Sequence, residues 1–231
     1  MSVGRPMPVD NPMPTPASGA SRVAGSGFVI PDWIGMVARG AVAIVVAVFI
    51  TFSADHSAEL GYRMFAIFAL VSGAIVTLVG LRSPDSVDRR AWFVAQGALG
   101  VAAGLVAAFA SGAGIPFLLF LVSCWAALTG AIELVTGLRA RGTVAQARDW
   151  VFAGGLTAVF AIVVLLIPAG YNQPYVGPDK IERFLTASVI LVGGIGAYAA
   201  ILGVFLLIAA SSLRWPVATP AAPVVESEKL P

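Results

Sequence analysis

Long apolar runs alternate with short polar or basic stretches along most of this chain. Six such runs are predicted as helices, at about 33–52, 62–81, 91–110, 115–138, 150–167 and 184–213. About 20 apolar residues, at ~1.5 Å each, cross the ~30 Å of bilayer hydrocarbon. The fold class that follows is all-α: a polytopic membrane protein of six transmembrane helices. Pro31-Asp32 opens the first run, with Asp32 as the candidate N-cap. Pro168 closes the fifth. The sixth is longer than a perpendicular span needs, so it is expected to tilt or to project from the membrane. The flanks differ in kind. Residues 1–31 are rich in Pro, Gly and Ser, and 214–231 in Pro and Ala. Neither buries enough apolar surface to offset its ordering entropy, so both are predicted to be disordered tails around a transmembrane domain at 32–213.

The runs repeat. Gly130-Ala131-Ile132-Glu133-Leu134-Val135-Thr136-Gly137-Leu138-Arg139 matches the ten residues from Gly73 to Arg82 at six positions, 57 residues apart. A weaker copy starts at Gly196. Gly40, Gly97 and Gly155 mark the odd-numbered runs in the same way. The reading is three tandem helical hairpins entering from the same side, with an outer loop about eight residues longer in the third. A pseudo-threefold bundle is a natural way to pack them. Glycines at such positions let helix backbones approach closely inside lipid. Gly100 to Gly104 fits the small-xxx-small spacing, which serves packing within the bundle or, less readily, a dimer contact.

Composition supports the membrane reading: 58% of residues are hydrophobic and 11% charged, against about 25% charged in soluble domains. A net charge of +2 gives no reason to expect nucleic acid. The distribution of Lys and Arg says more. Ten fall in the tails and in the two basic loops that carry Arg82, Arg89, Arg90, Arg139, Arg141 and Arg148, and three fall on the opposite side. That bias predicts both termini in the cytoplasm. The six loop arginines are candidate topology determinants and contacts for anionic headgroups. Trp33, Trp92, Trp150 and Trp215 fall at the same predicted boundary.

Two charges interrupt the repeated apolar frame. Arg39 aligns with Gln96 and Gly154, and Glu133 with Val76 and Ala199. Both lie about 9–10 Å along a helix from the same boundary. An intramembrane Arg39–Glu133 ion pair is the leading reading, because an unpaired charge in hydrocarbon is costly. The alternatives are a snorkelling arginine with a neutral carboxyl, and a proton or ion path.

Catalytic and cofactor signatures are missing from the sequence. The one histidine, His56, lies in a polar loop with Asp55 and Glu59. That loop can bind a cation or sense external pH, but plain solvation accounts for it equally well. No zinc motif, phosphate-binding loop or dinucleotide fingerprint occurs, and Cys124 alone forms no intrachain disulfide. No enzyme, cofactor or metal is expected.

The stretch Cys124-Trp125-Ala126-Ala127-Leu128-Thr129-Gly130-Ala131-Ile132-Glu133-Leu134, then Leu138-Arg139, Trp150, Gly154-Gly155 and Pro168, resembles the HdeD-like, DUF308 membrane proteins. The resemblance covers about residues 33–213. It implies a multi-pass protein of the bacterial plasma membrane with a non-enzymatic role in stress or acid resistance. Three classes therefore stand: an envelope stress protein, a small transporter or channel with Glu133 in its path, and an accessory subunit docking through residues 169–183. The expected partners are the lipid bilayer and either a second copy or another membrane protein.

Overall fold

The computed structural model describes residues 31–82, 87–177, 180 and 182–214. The stretches expected to be disordered tails lie outside these, apart from their inner boundary residues. Six helices follow one another: α1 Asp32–Phe52, α2 Ala58–Arg82, α3 Val87–Phe109, α4 Gly114–Arg139, α5 Ala147–Leu165 and α6 Ala187–Arg214. All six are long and apolar enough to cross a membrane, and the chain is an all-α polytopic membrane protein. Several ends differ from the sequence expectation. Pro31, not Asp32, is the N-cap of α1, and no side chain caps that end. Helices α2, α3 and α5 start three or four residues early, because loop residues such as Glu59 and Asp88 add a polar first turn that favours the positive helix end. Helix α5 ends at Leu165, before Pro168 rather than at it.

The largest departure is in the third outer loop. Asn172–Val176 (β1) and Glu182–Thr186 (β2) pair antiparallel, with Asn172 opposite Thr186 and Val176 opposite Glu182. Residues expected at the start of α6 therefore belong to β2. Most of the hairpin is exposed on both faces, so it has no alternating pattern for a sequence reading to detect. Its neck is closed by the Ala187 amide donating to the Tyr171 carbonyl at 3.0 Å.

The six helices form a closed ring whose tightest pairs run across the sequence repeats: α2 with α3, α4 with α5, and α6 with α1. Small residues make this closeness. A Cβ on Gly73 would stand 2.7 Å from the Gly97 carbonyl, and one on Gly130 would stand 3.1 Å from that of Gly154. At the third pair, a Cβ on Gly203 would stand 3.0 Å from the Gly40 carbonyl. These contacts correct the register of the repeats. Gly154, not Gly155, is the equivalent of Gly97, and Gly155 has open space around it. Gly203, not Gly196, is the equivalent of Gly73 and Gly130. It follows Gly130 by 73 residues rather than 57, and the hairpin accounts for the excess. Gly100 and Gly104 pack on α2 of the same chain, so that spacing serves packing within the bundle. Large apolar side chains such as Val45, Phe49, Phe120, Val159, Leu165 and Ile208 face outward, as lipid contact requires.

Candidate functional site

The corrected register brings three equivalent positions together at each level of the bundle axis. One level consists of Phe68, Trp125 and Tyr198, which are equivalents on α2, α4 and α6. Their rings meet edge to face, with centroids 5.8 Å (Phe68–Trp125), 6.0 Å (Phe68–Tyr198) and 6.3 Å (Trp125–Tyr198) apart and interplanar angles of 82°, 90° and 83°. This geometry suits the ring quadrupoles. Phe160 stacks on Tyr198 at 4.5 Å and Phe65 abuts Trp125 at 5.2 Å. The Tyr198 hydroxyl lies 2.8 Å from Thr157 Oγ1, which itself donates to the Ala153 carbonyl at 2.8 Å. Thr157 has one hydroxyl proton, so Tyr198 is the donor of the pair.

The charged level lies eight residues further along α4, about 12 Å down the axis and toward the end that carries the arginine loops. Arg39 Nη1 donates to Glu133 Oε1 at 2.7 Å, and Nη2 donates to Oε2 at 3.2 Å. Gln96 Nε2 donates to Oε2 at 3.1 Å. The side chains of Arg39 and Glu133 are only 13% and 4% exposed, so the pair sits in a low-dielectric interior where charge-assisted bonds are strong. Helices α1, α3 and α4 each contribute one member. The structural equivalents of Arg39 are Gln96 and Ala153, and those of Glu133 are Val76 and Leu206; the sequence alignment had placed Gly154 and Ala199 there. One repeat frame thus presents two polar groups and an alanine from its odd helices, and one carboxylate and two aliphatics from its even ones.

These six positions line a cavity of about 80 Å³ on the axis. Met36, Phe93 and Trp150, again equivalents, form its next level, and Asp149 and Gly35 lie near the helix starts. Phe93 and Trp150 meet edge to face at 4.9 Å. Two buried polar atoms of the charged level, Arg39 Nε and Gln96 Oε1, have no hydrogen-bond partner among the described residues.

Two matches to one family model, the short repeat of unknown function DUF308, span residues 38–109 and 95–166. The chain belongs to the DUF308 family. The matches start 57 residues apart, which is the repeat interval that sets the levels of the axis. Each DUF308 match runs from an odd helix to the next odd helix, so the first includes Arg39 and Gln96 and the second includes Gln96 and Glu133. Helix α6 and the hairpin lie outside both. No curated protein and no solved structure compared with the chain matches it.

The remaining sequence candidates fall away from the axis. Arg82 and Arg139 end α2 and α4, where a cation suits the negative helix terminus. Arg90, Arg141 and Arg148 are exposed and Arg89 is half-buried, all at the same end of the DUF308 bundle. Arg214 lies over the Trp33 ring at 5.1 Å. In the opposite loop, the Asp55 carboxylate accepts from the Ser57 amide at 2.8 Å and from its hydroxyl at 2.9 Å, while Glu59 pairs with Arg63. Both acids have local partners, and no group of three or more metal-ligating side chains occurs among the described residues. Sequence reasoning missed the aromatic level and the role of Gln96. The 57-residue interval pairs Phe68 with Trp125 and Arg39 with Gln96, but Tyr198 follows Trp125 by 73 residues, which hid the third member of the aromatic level.

Proposed function

We propose that this protein is a non-enzymatic component of the bacterial plasma membrane that supports stress tolerance, acid included, as a passive structural element. The observation that carries the reading is the state of Glu133. Its carboxylate takes three donors from two other helices, and the aromatic level fills the axis beyond it. A carboxylate in a proton path needs that path to continue on both of its sides. Here the second side is packed with rings. The arginine-rich end faces the cytoplasm, with both termini, as the bias of Lys and Arg supports. The six loop arginines then meet the anionic inner leaflet.

The test is acid survival of a deletion strain. It is complemented at equal membrane level with wild type or with Arg39→Met/Glu133→Leu, which removes the intramembrane carboxylate and its partner together. Deletion is expected to lower survival, and both forms to restore it. Failure of the double variant alone would mean that Glu133 or Arg39 works in transport. No defect on deletion would remove the stress role. The accessory-subunit reading is favoured by a separate observation: Tyr175, Val176 and Phe184 are exposed on the hairpin. Co-purification in mild detergent, with and without the hairpin, addresses it.

A further inference from the structure

We propose that the β1–β2 hairpin lies on the bilayer and sets Pro174, Val176 and Phe184 into the headgroup layer of the leaflet opposite the arginine loops. The register puts these three on one face. Pro174 stands opposite Phe184, and Val176, two residues further on, stands opposite Glu182. Tyr175 pairs with Arg183 on the other face. Val176 and Phe184 are 63% and 57% exposed, so nothing among the described residues covers the first face. Beyond its own two strands, the hairpin meets the bundle chiefly at the start of α6.

Chain connectivity sets the depth. Leu165 and Leu166, each 75% exposed, end the lipid-facing surface of α5, and β2 runs straight into α6 at Ala187. Phe184 precedes Ala187 by three residues, and three residues of strand reach at most ~10 Å. The headgroup layer is ~5–7 Å thick on each side, so Phe184 and its partner Pro174 lie in it or just above it whichever way the hairpin points. Val176 is two residues nearer the tip. An upright hairpin carries it clear of the headgroups and leaves two large apolar side chains in water. Laid over, the same hairpin removes both from water and gives up no contact within the bundle. Lipid is the occupant because it is already present at that depth and continues the apolar outside of α5. The other face suits the arrangement. Tyr175 and Arg183 are an aromatic and a basic residue of the kind that favours headgroup depth, and Lys180 is exposed in the turn. Lys180 and Arg183 are offset by Asp179 and Glu182 along the sequence, so the apolar face rather than net charge drives the contact.

The experiment uses the full chain, with Cys124→Ser, in phosphatidylcholine nanodiscs. A nitroxide is attached through Glu182→Cys, on the apolar face beside Val176, or through Gln173→Cys, on the other face. Its access to oxygen, which concentrates in hydrocarbon, and to a water-soluble nickel chelate is read by power saturation. The oxygen-to-nickel ratio is expected to be about tenfold higher at position 182 than at 173, since half the burial of one large apolar side chain holds the hairpin down by that factor. Val176→Ser/Phe184→Ser should bring position 182 to the value at 173, with helix content unchanged by circular dichroism. A label at 182 as open to nickel as the one at 173 would overturn the proposal, and so would a high ratio that survives the double serine variant. A label at 182 that is open to nickel in nanodiscs but closed to both reagents in native membranes would overturn it in favour of a protein partner, the accessory-subunit reading.

Discussion

Replacing Glu133 by glutamine leaves the Arg39 guanidinium with its charge and without its counter-ion. The carboxylate accepts three hydrogen bonds, at 2.7, 3.2 and 3.1 Å, and the glutamine carbonyl can keep at most two of them. The larger loss is electrostatic, since a buried charge deprived of its partner costs about 3–5 kcal/mol. Arg39→Gln is expected to cost a similar amount for the converse reason. Removing both charges is a different case. The repeat already holds aliphatic residues at this depth, with Val76 and Leu206 at the Glu133 position and Ala153 at that of Arg39. Arg39→Met/Glu133→Leu is therefore expected to recover most of the loss, because two desolvation penalties disappear with the pair. Reversed charges, Arg39→Glu/Glu133→Arg, should recover part of it. Unfolding from detergent micelles, followed by far-ultraviolet circular dichroism at one fixed detergent, measures all four against Arg148→Gln as an exposed control. Single variants that unfold like wild type would show that the pair contributes nothing. A double variant no better than the singles would show that charge balance is not the cause.

Three other outcomes are expected. Gly73→Val should destabilise by at least ~1–3 kcal/mol because its Cβ meets backbone, whereas Gly155→Ala should stabilise by up to ~1 kcal/mol; the same unfolding assay reports both. Replacing residues 172–185 by a few glycines should leave the bundle's stability within ~0.5 kcal/mol, since the hairpin is largely exposed, the neck residues Tyr171 and Ala187 are already in contact, and Thr186, which accepts from the Val189 amide, is kept. On a Cys124→Ser background, Ser57→Cys should react with an impermeant thiol reagent in intact cells, and Val144→Cys only after permeabilisation. The reverse pattern would invert the orientation.

The six spans were legible because lipid leaves a chain no other choice: Val45, Phe49, Ile162 and Leu165 must be apolar over their whole helix. The 57-residue copies were legible too, since Gly73 and Gly130 both stand where backbones touch. The third copy was not. Helix α6 has glycines at 193, 194, 196 and 203, and matching letters chose Gly196, which faces the Ile50 side chain and no backbone. That error carried Glu133 onto Ala199 instead of Leu206, and it hid Tyr198 as the equivalent of Trp125. The hairpin stayed hidden because Pro174 and the exposure of both faces remove the usual strand pattern. The repeat set Gln96 at the position of Arg39, and three dimensions put both beside Glu133.

The closure of α6 onto α1 also has a consequence for biogenesis. The chain leaves the ribosome in order, so α2 meets α3, and α4 meets α5, while synthesis continues. Helix α1 waits longest. Its close partner is the last helix made, and the counter-ion for Arg39 arrives only with α4. During that interval an arginine-bearing helix stands in or beside the translocon with its glycine face uncovered. A chain truncated before residue 187 never covers that face, because the α6 residues that meet Gly40 are missing from it.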